Sequence, residues 1–157
     1  MTVIVYRDGV IAADTGFASG GHHSGSVLKI FQNHLLVGGA SGVVTRCHAW
    51  GRWLTAGAQG EFRQDPFGED DWNAFSVDEV GSLRHYDNDG WFDLAHVPYY
   101  AIGSGKMTAM GAMWQGATAA QAVAAALAQC EDCGGRVYSV DVHSRVATVW
   151  DGVSQHG

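Results

Sequence analysis

The chain has 157 residues, 46% hydrophobic and only 16% charged, enough for one sizeable core and too apolar and aromatic for a disordered linker. A formal charge of -7 with nine scattered Lys and Arg disfavours nucleic acid and anionic membrane as partners, and an odd count of three cysteines points to a reducing compartment. Glycine is in excess at 22 residues without the every-third spacing of collagen, so tight turns are expected in abundance.

Val3 to Tyr6 and Val10 to Ala13 flank Asp8-Gly9, a hairpin signal, and the second strand ends at Asp14. A glycine-serine loop is expected from Ser19 to Ser26, then a short strand over Val27 to Phe31. A turn at Asn33-His34 leads to a strand over Leu35 to Val37 that ends in Gly38-Gly39. Apolar residues on both faces of these strands predict a sheet covered on each side. Val43, Cys47, Trp50 and Leu54 then fall on one helical face, with an end near Gly57 to Gly60. Residues 61–73 are acidic and turn-rich, a surface loop.

Strands are predicted again over Ala74 to Val77, Ser82 to Tyr86, Gly90 to Asp93 and Tyr99 to Ile102, the last stopping at Gly103-Ser104-Gly105. A helical stretch from Lys106 to Gln129 is interrupted at Gly116, where Thr118-Ala-Ala-Gln121 matches a capping box. Its apolar run, Ala117 to Ala128, is too short and too alanine-rich to span a bilayer. Val137 to Val142 and Val146 to Trp150 close the chain as strands around His143-Ser144-Arg145. Nothing in the opening residues has the pattern of a secretory leader, so a cytoplasmic, non-membrane protein with one domain over 1–157 is expected. Strands and helices in segregated blocks argue an α+β layered fold with antiparallel sheets.

Two motifs that suggest ligands fail on their neighbours. Gly103-Ser104-Gly105-Lys106 lacks the earlier glycine of a phosphate loop, where Tyr100 stands, and has Met107 where magnesium needs Ser or Thr. Cys130-Glu-Asp-Cys133 is a single CxxC without a second pair, and neither Cys47 nor any histidine sits at ligand spacing from it. His22-His23 reads as a solvated loop tip. No metal or cofactor is expected.

A more specific chemistry begins at Thr2. Removal of Met1 leaves a threonine that carries a hydroxyl nucleophile and an α-amine of pKa about 7.7–8.0, able to take the hydroxyl proton near neutral pH. That arrangement needs a cation beside the amine, a carboxylate to hold the cation, and backbone N–H groups for the oxyanion. Asp14 ends the partner strand, Lys29 follows in the next, and Gly38-Gly39 ends the fourth.

Thr2, Asp8-Gly-Val-Ile-Ala-Ala-Asp14, Lys29 within Gly25-Ser-Val-Leu-Lys-Ile-Phe31, Gly38-Gly-Ala-Ser-Gly42 and Ala101-Ile-Gly-Ser-Gly105 stand in the order seen in proteasome β-type subunits. The chain resembles the HslV peptidase branch, and more closely short proteasome-like proteins of bacteria and phages, over Thr2 to about Val142. The resemblance implies a four-layer αββα sandwich of two antiparallel sheets, the fold of N-terminal nucleophile (Ntn) hydrolases, and threonine peptidase activity on peptides or proteins. It implies Thr2 as nucleophile, Asp14 as the carboxylate that orients Lys29, and Lys29 as the group that tunes the amine. Gly38 would supply an oxyanion N–H and Ser104 a hydrogen bond near the amine. Asp132 is the nearest match to a further carboxylate of the family, with Gly134 as an alternative alignment. Homo-oligomers, often rings, and an ATP-driven unfoldase partner are implied in the same way. A catalytically inactive protein serving as an assembly or binding module is the alternative. Thr2 and Asp14 lie closer than is usual in the family, which the loss of two residues from each hairpin arm accommodates.

Overall fold

A computed structural model of the chain describes residues 2–19, 22–62, 72–130 and 133–150. It opens with β1 (Val3–Arg7) and β2 (Val10–Asp14), followed by β3 (Gly16–Ser19), β4 (His22–Ser26), β5 (Ile30–Gln32) and β6 (Leu36–Gly42). Helix α1 (Val44–Thr55) leads to β7 (Trp72–Asp78), β8 (Leu83–Asp87), β9 (Gly90–Leu94) and β10 (Tyr99–Gly103). Helices α2 (Lys106–Trp114) and α3 (Ala119–Gln129) precede β11 (Val137–Asp141) and β12 (Ala147–Trp150).

The first hairpin forms as its sequence dictates. Arg7 pairs with Val10 across Asp8-Gly9, whose φ values of 50° and 78° supply the two left-handed positions of a tight turn that matches strand twist. Every strand pair is antiparallel, and two five-stranded sheets result, ordered β10-β1-β2-β11-β12 and β5-β6-β7-β8-β9. Alternation along β1 divides the core. Val3 and Val5 face α2 and α3, packing with Ala109, Met113, Val123 and Ala126. Ile4 and Tyr6 point the other way and meet Ile30, Val37, Phe75 and Leu83 of the second sheet. Four consecutive buried residues on one strand are what a sheet covered on both faces requires. On the second sheet α1 lays Cys47, Trp50 and Leu54 against Ala40, Ala74 and Tyr86. Helix α3 starts where the capping box predicts: Thr118 Oγ1 accepts from the Gln121 N–H and the Gln121 side chain accepts from the Thr118 N–H.

The four-layer αββα sandwich of two sheets is corrected by this architecture. The strands fall in three sheets, the third being the ribbon β3–β4, and α1 is the only helix packed on the second sheet among the described residues. Among the described residues the result is a mixed α/β fold of antiparallel sheets with three helices. Two physical causes are visible. The segment expected as a glycine-serine loop instead pairs as a ribbon, since its backbone groups find partners in each other across Gly16↔Ser26 and Ser19↔His22. The expected strand at Val27 shortens to Ile30–Gln32, because Val27 donates instead to the Thr15 carbonyl at 2.8 Å. No helix of the described residues is long and apolar enough to cross a membrane.

Candidate active site

Residue 2 enters β1 at the edge of the core and is 6% exposed. Its main chain is held from the loop that ends β10. The Thr2 N–H donates to Ser104 Oγ at 3.2 Å, and the Ser104 hydroxyl and Gly105 N–H both donate to the Thr2 carbonyl at 3.3 Å. Gly103 makes this approach possible: at φ 99° a side chain there would place its Cβ 2.0 Å from the Thr2 oxygen. Only glycine allows the two backbones so close.

Beneath Thr2, Asp14 is fully buried at the end of β2. One carboxylate oxygen accepts from the Val3 N–H at 3.0 Å and from Lys29 Nζ at 2.9 Å, and the other accepts from the Gly134 N–H at 3.1 Å. A carboxylate out of water persists only with such partners, and this one ties three segments to the start of β1. Lys29 is itself 8% exposed, and its ammonium shares an oxygen with the amide directly after Thr2. Thr2 and Lys29 line one cleft with Val27, Leu28, Phe31, Ala40, Gly42, Val44, Cys47 and His48. The Cys47 thiol in that wall is pushed up to about 11 by burial, with the Lys29 charge pulling the other way.

Thr2, Asp14, Lys29 and Ser104 are thus brought together. Gly38 is not. It sits mid-strand in β6 under α1, where a Cβ would lie 2.4 Å from the Phe75 carbonyl and 2.7 Å from the Trp50 ring. Ala40 and Gly42 of the same strand reach the cleft instead. Asp132 lies outside the described residues. Its neighbour Gly134 contributes the N–H to Asp14, and Cys133 packs 4.0 Å from Ser104 Oγ. Burial first, then a hydrogen bond with Cys130 and the Asp14 charge, push the Cys133 thiol up to about 12. Gly103 and Gly134 are site residues to which the sequence alone assigns no role, although both stand within segments of the resemblance. The signal for the first was its place beside Ser104, and for the second the alternative alignment beside Asp132.

The described residues hold no group of three or more His, Cys, Asp or Glu placed to bind a metal. Compared with known proteins, the chain matches no family model and no curated relative. What the arrangement can do chemically therefore rests on its geometry. It fixes the Thr2 main chain from above, buries a cation–carboxylate pair below, and opens one side to an apolar cleft.

Proposed function

We propose that the chain is a threonine peptidase that hydrolyses amide bonds through Thr2, exposed as the first residue by removal of Met1, in the manner of HslV and the proteasome β-type subunits. The observation that carries this reading is the buried Asp14–Lys29 pair whose shared oxygen also binds the amide next to Thr2. A structural ion pair has no need to sit at the second residue of the chain, whereas an amine acting as base needs a fixed cation nearby to stay unprotonated.

On this reading the Thr2 hydroxyl attacks the substrate carbonyl and its proton passes to the Thr2 α-amine, the nitrogen that Ser104 holds at 3.2 Å. The tetrahedral intermediate collapses to an ester on Thr2 as the amine delivers the proton to the leaving nitrogen. Water then attacks the ester, with the same amine as base, and frees the acid. The apolar walls at Val27, Leu28, Phe31 and Val44 enclose only about 20 Å³ beside Thr2, room for a water or a methyl group and not for a larger side chain. Self-association accompanies this reading by resemblance, as does an ATP-driven unfoldase partner, and Met107 and Trp114, each 76% exposed on α2, suit a covered face.

The deciding experiment pairs intact mass spectrometry with a threonine-directed covalent inhibitor. The reading expects loss of Met1 and labelling of the wild type but not of Thr2→Ala. Retained Met1, or equal labelling of both proteins, removes Thr2 as nucleophile and leaves an assembly or binding module.

A further inference from the structure

A second cleft, of about 510 Å³, flanks the other side of Thr2 and has no part in the chemistry above. Its walls are strand ends: Ser41 and Gly42 of β6, Asn73 of β7, Asp87 of β8 and Gly103 of β10, with Ser104 and Lys106 beyond. It adjoins the Thr2 main chain. Gly42 lines both clefts, Ser104 holds the Thr2 N–H, and Gly103 lies against the Thr2 carbonyl. A space of this size takes one or two residues of a peptide.

Two of its donors are unspent. Ser41 is 8% exposed, yet its hydroxyl has no hydrogen-bond partner among the described residues. The part of Ser41 that still meets solvent is this hydroxyl, which therefore opens into the cleft and is free for a ligand atom. The Lys106 ammonium is exposed and makes no hydrogen bond or ion pair among the described residues. Lys106 is also the first residue of α2, whose N-cap Gly105 offers no side-chain cap and whose first turn carries no acid. Its N–H groups therefore add partial positive charge at the same spot. The acid in the lining, Asp87, is turned to His85 Nε2 at 3.4 Å.

We propose that this cleft receives the leaving side of the substrate and selects a free carboxylate there, the C-terminal end of a short peptide. The cleft beside Lys29 holds only about 20 Å³, so the donor-rich cleft is the one with room for a substrate residue, and the anion that every C-terminal residue carries is its α-carboxylate. The catalytic consequence rests on Thr2 as nucleophile; the carboxylate site does not.

Two measurements separate these parts. In the first, the full chain carrying Thr2→Ala is titrated with N-acetylglycine and with its neutral amide while backbone amide NMR signals are followed. Only the carboxylate should move the signals of Ser41, Gly42 and Lys106, and Lys106→Glu, at an exposed position that leaves the melting curve intact, should weaken binding about tenfold or more. Equal response to the neutral amide, or undiminished binding by Lys106→Glu, overturns the site. In the second, wild type and Lys106→Glu cleave matched peptides that end one residue past the scissile bond in a carboxylate or an amide. The kcat/KM ratio should be about ten in wild type and near one in the variant. A wild-type ratio of one overturns the substrate preference. Carboxylate binding without cleavage of either peptide upholds the site and removes Thr2 as nucleophile.

Discussion

At Asp14, three donors converge on one carboxylate with no access to water. Removing the acid leaves the Lys29 ammonium buried without that partner and two N–H groups unsatisfied, whereas removing the lysine leaves Asp14 with both amides. Asp14→Ala should therefore cost about 3–5 kcal/mol of stability and Lys29→Met clearly less, as measured by urea unfolding. Equal losses would mean that the amides contribute nothing to holding the carboxylate. Cysteine reactivity tests the same neighbourhood from another side. Burial holds the Cys47 and Cys133 thiols up at about 11 and about 12, so at pH 8 both are protonated in the folded protein and poor nucleophiles. Iodoacetamide at pH 8 should label Cys130 first, with Cys47 and Cys133 following only as pH rises toward those values or as urea unfolds the chain. Rapid labelling of Cys133 in the folded protein would contradict its burial against Ser104.

Elements were legible in the sequence where period and punctuation agree. Asp8-Gly9 placed the turn of the first hairpin, Cys47, Trp50 and Leu54 identified the face of α1, and Thr118 and Gln121 marked the start of α3. Segments whose partners are distant in the chain were less legible. The ribbon β3–β4 has no hydrophobic alternation to announce it: Gly16, Ser19 and Ser26 are held by backbone pairing, with the Gly16 N–H donating also to the Gly134 carbonyl. Asp14 and Lys29 could be named because strand ends position them, but Gly134 meets Asp14 from 120 residues away, a contact that no local pattern encodes. Gly38 is the instructive failure. A glycine pair at a strand end suggests an N–H aimed at an oxyanion, yet which face each glycine takes depends on what α1 packs against. Gly38 faces Trp50 and the Phe75 carbonyl, so its missing Cβ serves packing. Gly38→Ala should destabilise the fold by about 3 kcal/mol while leaving turnover per folded molecule unchanged. Activity lost at unchanged stability would instead put Gly38 at the reacting carbonyl.

Among the described residues, the two large sheets meet through apolar side chains and, at one place, through a part-buried polar link between strands. Tyr100 of β10 and His85 of β8 are joined at 2.7 Å through the Tyr100 hydroxyl and His85 Nδ1. Asp87 can only accept, so its approach to Nε2 at 3.4 Å places the imidazole hydrogen there and leaves Nδ1 to accept from the tyrosine. Burial lowers the His85 pKa below its ordinary 6.5, with the Asp87 charge opposing the shift. The sign of the consequence follows from which state takes up the proton. Above about pH 6.5 the imidazole is neutral whether the chain is folded or not, and His85 adds no pH dependence. Below it, the unfolded chain protonates while the folded one resists, so stability falls with pH until the lowered folded value is reached. Urea midpoints should decline from pH 7 to pH 5, and His85→Gln, whose amide can still bond Tyr100, should flatten the part of that decline due to this residue. An identical slope in both proteins would show that the link between the sheets tolerates a charged imidazole. A shallower slope would show that acid loosens the two sheets at this contact, whose histidine also lines the donor-rich cleft beside Thr2.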